Sequence, residues 1–120
     1  MELFNIYAGL GGGFGGAKYE FTSKFDLKEE AENCAYEQAV QYYEMYAGSH
    51  GLDCLDDCIN EALESGEFPE DTPRDDDELL DYAGEIYMER VEGWLDFFAI
   101  ETSKDINTER LKKEKIYKEW

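Results

Sequence analysis

Leu3-Phe4-Asn5-Ile6-Tyr7-Ala8-Gly9-Leu10, Gly11-Gly12-Gly13-Phe14-Gly15-Gly16 and Ala17-Lys18-Tyr19-Glu20-Phe21-Thr22-Ser23 run consecutively, and their reading decides the fold. The first segment alternates, with Phe4, Ile6, Ala8 and Leu10 on one face, as a half-buried strand requires. The third alternates again. Two alternating runs joined by glycines predict a β-hairpin with a glycine-rich tip.

One more strand is predicted far downstream, at Trp94-Leu95-Asp96-Phe97-Phe98-Ala99-Ile100-Glu101-Thr102, whose aromatic and β-branched composition suits a sheet. Between the strands the apolar period changes to that of a helix. From Leu27 to Tyr46, Leu27, Ala31, Cys34, Ala35, Ala39, Tyr42, Tyr43 and Tyr46 share a broad face. Asp26 is the expected N-cap with Glu29 three residues on, and Gly48-Ser49-His50-Gly51 the expected stop. A short helix is expected from a cap at Asp53 to about Ser65, with Leu55, Ile59, Ala62 and Leu63 inward. After the acidic, proline-containing loop 66–77 comes a helix over 77–92, and a last one from Asp105 to Trp120. The expectation is a single α+β domain over residues 1–120, a small antiparallel sheet (the N-terminal hairpin plus a strand near 94–102) packed with three or four helices.

Hydrophobic residues make up 42% of the chain and aromatics 15%, too much apolar material for a disordered acidic tail. The net charge is −19. That disfavours direct binding to nucleic acid, which needs Lys and Arg to displace counterions, and to anionic membranes, and makes a basic protein the natural partner. No apolar run approaches the roughly 20 residues of a membrane span. Three cysteines do not make a disulfide framework, and Met1-Glu2-Leu3-Phe4 lacks the basic start of a signal peptide. These features lead to the expectation of a cytoplasmic protein with reduced thiols.

The charge is unevenly placed. Residues 53–101 hold eighteen Asp or Glu and two basic residues, Arg74 and Arg90. Residues 104–120 reverse the balance, with six basic and four acidic groups. Asp75, Asp76, Asp77 and Glu78 open the acidic helix, and Glu78, Asp81, Glu85, Glu89 and Glu92 follow at spacings of 3, 4, 4 and 3. At about 100° per residue these five carboxylates align on one face, a stripe roughly 21 Å long. Like charges at i,i+4 cost a helix a few tenths of a kcal/mol per pair. Repeating that cost with so few lysines interleaved points to a use for the field. Solubility alone also produces charged helix faces, and that reading stands beside it.

Other constellations are less specific. Gly11, Gly13 and Gly16 match G-x-G-x-x-G, but a strand rather than a helix is expected to follow, and the field repels phosphate. The bland reading is a mobile tip free to follow a partner's surface through Gly13, Phe14 and Gly15. His50, Cys54 and Cys58 lack paired C-x-x-C spacing, and the Asp75–Glu78 run lacks the EF-hand pattern, so no metal or other cofactor is expected. The acids lie on faces expected to be solvated. With a single histidine and no nucleophile elbow, an enzyme is not expected either.

In size, charge and its Asp75–Glu92 carboxylate pattern, the chain resembles the small acidic proteins of phages and mobile elements that include anti-restriction and anti-CRISPR proteins. The opening Leu3–Gly16 is similar to phage proteins of unknown function. The resemblance implies a stoichiometric inhibitor, a DNA mimic that occupies the basic groove of a host nuclease or CRISPR effector. The alternatives are an interaction module that holds its partner by hydrophobic contacts through the glycine loop and aromatics such as Phe14 and Trp94, and a small enzyme or metal-binding protein.

Overall fold

The structure is a computed structural model, and it describes residues 1–119. It is α+β: a three-stranded antiparallel sheet and four helices. The elements are β1 (Glu2–Leu10), β2 (Gly16–Phe25), α1 (Lys28–Tyr46), α2 (Leu55–Glu64), α3 (Asp77–Trp94), β3 (Leu95–Glu101) and α4 (Thr108–Lys113). The chain divides into two compact units. One is Met1–Tyr42 with the chain from Leu95 onward, and the other is Tyr43–Trp94.

In the first unit the strand order is β2-β1-β3, so the N-terminal strand is central. Its pairing with β2 shifts register between Ile6 and Tyr7, where Ile6 faces Phe21 but Tyr7 faces Tyr19, leaving Glu20 as the extra residue of a bulge. Phe4 and Ile6 pack with Ala31 and Ala35 of α1 and with Ala99 of β3. Small residues on α1 let the helix approach the sheet closely. The whole of Phe4–Leu10 is buried, not one face of it as the alternation predicts. The second face is covered because Asn5 and Tyr7 hydrogen-bond to Asp105 and Thr108, which brings α4 down on that side.

That polar layer also corrects the last helix. Of the helix expected from Asp105 to Trp120, Thr108–Lys113 alone is helical among the described residues. The Asp105 carboxylate is held by Asn5, Tyr7 and the Asn107 amide, so the helix starts after it. Lys115 adopts a positive φ of 60°. The chain then returns to β2, where the Thr22 amide donates to the Lys118 carbonyl at 3.0 Å. Trp120 lies outside the described residues.

The hairpin tip is a 3-10 turn, Gly12–Phe14, closed by Gly15 in the left-handed region at φ 92°. At its base the Ala17 amide donates to the Asp96 carboxylate at 2.7 Å, which ties β2 to the start of β3. Gly9 is required here: a Cβ on it would stand 2.4 Å from the Gly16 carbonyl oxygen.

The second unit is built on Cys58, Ile59 and Ala62 of α2 against Leu79 and Ala83 of α3, with Tyr82, Ile86 and Tyr87 at the margin. Deleting a fully buried leucine such as Leu79 from so small a core costs about 2–5 kcal/mol.

Two caps differ from expectation. The Leu27 carbonyl takes the first α1 bonds, so Leu27, not Asp26, is the capping residue, and its side chain is left exposed rather than inward. The N-cap of α2 is Cys54, whose amide and thiol both meet the Asp57 carboxylate, and not Asp53. Leu55 in the first turn is exposed rather than inward. Trp94 ends α3 and is not part of the strand.

Candidate partner-binding surface

Helix α3 carries Glu78, Asp81, Glu85, Glu89 and Glu92, all exposed. Its opposite side buries Leu79, Ala83 and Val91 in the core. The amphipathic pattern therefore orients the stripe outward, as its spacing predicts. None of the five carboxylates forms an ion pair or side-chain hydrogen bond with a described residue.

The two arginines of the acidic region are bound elsewhere in the same unit. Arg90 projects from α3 to Asp53 and, with both carboxylate oxygens engaged at 2.8 and 3.0 Å, to Glu61 of α2. Arg74 reaches Asp56 and Asn60 of α2 at 3.0 and 2.7 Å. Both cations brace α2 and leave the α3 stripe uncompensated.

The acidic run before the helix is not one surface. Asp75 and Asp77 are exposed. Asp76 is half-buried, and its carboxylate accepts the Leu79 amide at 3.1 Å, which makes it the N-cap of α3. Its carboxylate thus has a structural role at the start of α3, unlike its exposed neighbours Asp75 and Asp77. Helix propensity and capping chemistry are local signals, and Asp76 three residues before Leu79 fits the cap pattern. The run of acids around it hid that role.

Along the stripe lies a shallow open groove of about 750 Å³, lined by Leu80, Asp81, Gly84, Glu85, Met88, Glu89 and Glu92. Sequence reasoning missed its apolar floor: Leu80, Gly84 and Met88 follow one another at i,i+4. Gly84 has ordinary helical φ, and a Cβ added there would meet nothing within 4 Å. Packing does not demand a glycine, although glycine costs a helix about 1 kcal/mol relative to alanine. The notch lies at the middle of the carboxylate ridge.

Gly13 and Gly15 are exposed at the tip of the first unit, and Phe14 between them is half-buried. Phe14 and Trp94 already have interaction partners within the protein. The cysteines are free. Burial pushes the Cys34 and Cys58 thiols up, reinforced by Glu37 at the first and Asp53 at the second, opposite to the depressed pKa of a reactive thiolate. Among the described residues, no three His, Cys, Asp or Glu side chains gather as metal ligands. No helix among them is long and apolar enough to cross a membrane.

No protein-family model, curated protein or solved structure matches the chain.

Proposed function

We propose that this chain is a stoichiometric inhibitor that lays the α3 ridge into the basic groove of a nucleic-acid-binding host defence protein, a restriction nuclease or CRISPR effector. The observation that carries this reading is the set of five exposed, unpaired carboxylates on one helix face, beside two arginines bound to α2. Carboxylates at i,i+3 and i,i+4 stand about 5–6 Å apart. Duplex DNA offers about one charge per 1.7 Å of axis, so a ridge about 21 Å long engages several of the Lys and Arg side chains that otherwise hold phosphates. Charge-assisted bonds of this kind, to arginine above all, are the strong ones. The field of a −19 chain steers a basic partner in and makes association fast and salt-sensitive.

The Leu80–Gly84–Met88 floor gives the ridge a feature that a merely solvated face does not need. An unbranched helix backbone at Gly84 admits a partner's side chain between the two apolar neighbours, adding shape to charge.

The test is capture of host proteins by wild type and by the Asp81→Lys, Glu85→Lys, Glu89→Lys triple variant, with duplex DNA as competitor. A basic nuclease or effector retained at low salt, released by salt or DNA, and lost with the triple variant is the expected outcome. Retention of the same target by the triple variant removes the ridge from the mechanism.

A further inference from the structure

The groove on α3 joins two surfaces of different chemistry. Leu80, Gly84 and Met88 form an apolar row at four-residue spacing, and Asp81, Glu85 and Glu89 stand beside it, each one residue on. Leu80 and Gly84 are half-buried and Met88 is 41% exposed, so the row is open to a partner. Gly84 is the gap in it. On the helix surface its neighbours at i−4, i−3 and i+4 are Leu80, Asp81 and Met88. A Cβ placed on Gly84 meets nothing within 4 Å. The gap therefore has an apolar wall at either end and carboxylates along one side.

The surrounding unit does not fill this demand itself. Tyr43–Trp94 contains no lysine, and its two arginines are bound to Asp53, Glu61 and Asp56. An occupant from outside must combine an apolar stem with a cationic end. A purely apolar side chain fills the gap but draws water away from Asp81 and Glu85 without supplying a counter-charge. Lysine supplies the charge as a compact, strongly hydrated ammonium, a point rather than a fork. Arginine lays its methylenes along apolar surface and ends in a planar, weakly hydrated guanidinium with five donors. Asp81 and Glu85 are one helical turn apart, with β-carbons about 5–6 Å from each other, which suits one fork shared by two acceptors.

We infer that the Gly84 notch receives one arginine side chain of a basic partner, its methylenes over Leu80, Gly84 and Met88 and its guanidinium shared by Asp81 and Glu85. The assignment rests on α3 being the partner-binding face and names the side chain that enters it. A second copy does not supply that side chain. Of the chain's three arginines, Arg74 and Arg90 are held by the acids around α2, and the charge of Arg110 already acts on Asp105.

The experiment is an NMR titration of the full chain with two alanine-based helical peptides. They are identical except that the cations along one face are all arginine in one and all lysine in the other. The arginine peptide is expected to bind wild type about tenfold tighter and to shift the Gly84 and Glu85 amides. Gly84→Leu fills the notch and keeps every carboxylate, so it is expected to abolish the preference while leaving the lysine peptide's affinity unchanged. Met88→Ala removes one wall without touching the core and is expected to reduce the preference as well. The Asp81→Lys, Glu85→Lys, Glu89→Lys variant is expected to bind neither peptide. Equal affinity of the two peptides for wild type, or a preference that survives in both Gly84→Leu and Met88→Ala, overturns the inference; if the triple variant still loses both peptides, the ridge itself stands. Binding of either peptide by the triple variant, or of neither by wild type, removes the ridge and the inference together. A Gly84 shift that grows with protein concentration in the absence of peptide, alongside a doubled mass, gives the notch to a second copy and also overturns the inference.

Discussion

Arg90 near the end of α3 donates to the carboxylate of Asp53, 37 residues earlier in the chain, and with its other nitrogen grips Glu61. One guanidinium thus fixes the loop before α2 and the middle of α2 to α3. Nearby, the Tyr43 phenol donates to the Asp53 carbonyl at 2.7 Å. Replacing Arg90 with methionine keeps much of its length and removes the charge. The variant is expected to unfold at lower urea than wild type in low salt, with the difference shrinking in high salt as screening weakens the pairs. Urea melts at two ionic strengths check this.

Reversing Asp81, Glu85 and Glu89 to lysine removes the like-charge pairs they make with Asp77, Glu78 and Glu92, while the 81–85 and 85–89 spacings stay like-charged with the sign changed. Each such pair costs a few tenths of a kcal/mol, so the triple variant should be as stable as wild type or slightly more stable. Circular dichroism and urea melts measure it. A collapse of the fold would mean that these side chains hold something in place, and would count against a free binding ridge.

Gly84→Ala is sterically free, because nothing lies within 4 Å of the new Cβ. Helix propensity should raise stability by about 0.8–1 kcal/mol. If the notch receives a partner's side chain, the same change weakens target binding while the fold gains. Opposite signs in a urea melt and a binding titration are the expected signature.

Asp105 sits under β1, where burial pushes its carboxyl up. The Tyr7 phenol at 2.5 Å, the Asn107 amide, Asn5 and the nearby Arg110 charge together outweigh burial, leaving its pKa below the ordinary value of 3.8. A depressed carboxyl contributes stability that is present above the unfolded pKa and lost as pH falls below it through the folded one. Asp105→Ala should lower stability by roughly 2–4 kcal/mol near neutrality, since Asn5 and Tyr7 lose their acceptor, and should flatten the acid limb below about pH 4. Stability against pH for the two proteins checks both statements.

At the alkaline end the sign is opposite. Burial, then the Asp53 charge, pushes the Tyr43 phenol up to about 12, and burial with Asp105 raises that of Tyr7 further. Raised phenols contribute stability that is complete below the unfolded value near 10 and is lost as pH climbs toward the folded ones. Phenolate absorbance should therefore rise in two stages, the later one coinciding with unfolding. Tyr43→Phe should reduce the late amplitude.

The sequence by itself determined the local and periodic features of this protein. Alternation on either side of the Gly11–Gly16 run made the hairpin, and apolar spacing made α1, α2 and α3. The 3-4-4-3 spacing put the five carboxylates on one face, because a helix has a fixed angle per residue and its buried side must be the apolar one. Only the tertiary structure decided where long-range partners lie. Asn5 and Tyr7 meet Asp105 about a hundred residues away, which shortens α4 and buries β1 on both faces. Arg90 and Arg74 turn to α2 rather than to the α3 stripe, Asp76 becomes a cap, and the tail bridges β2 at Thr22. Periodicity records which side of an element is apolar. Which distant group satisfies a buried donor, or which carboxylate a cation reaches, is settled only when the elements pack and every buried polar atom must find a partner.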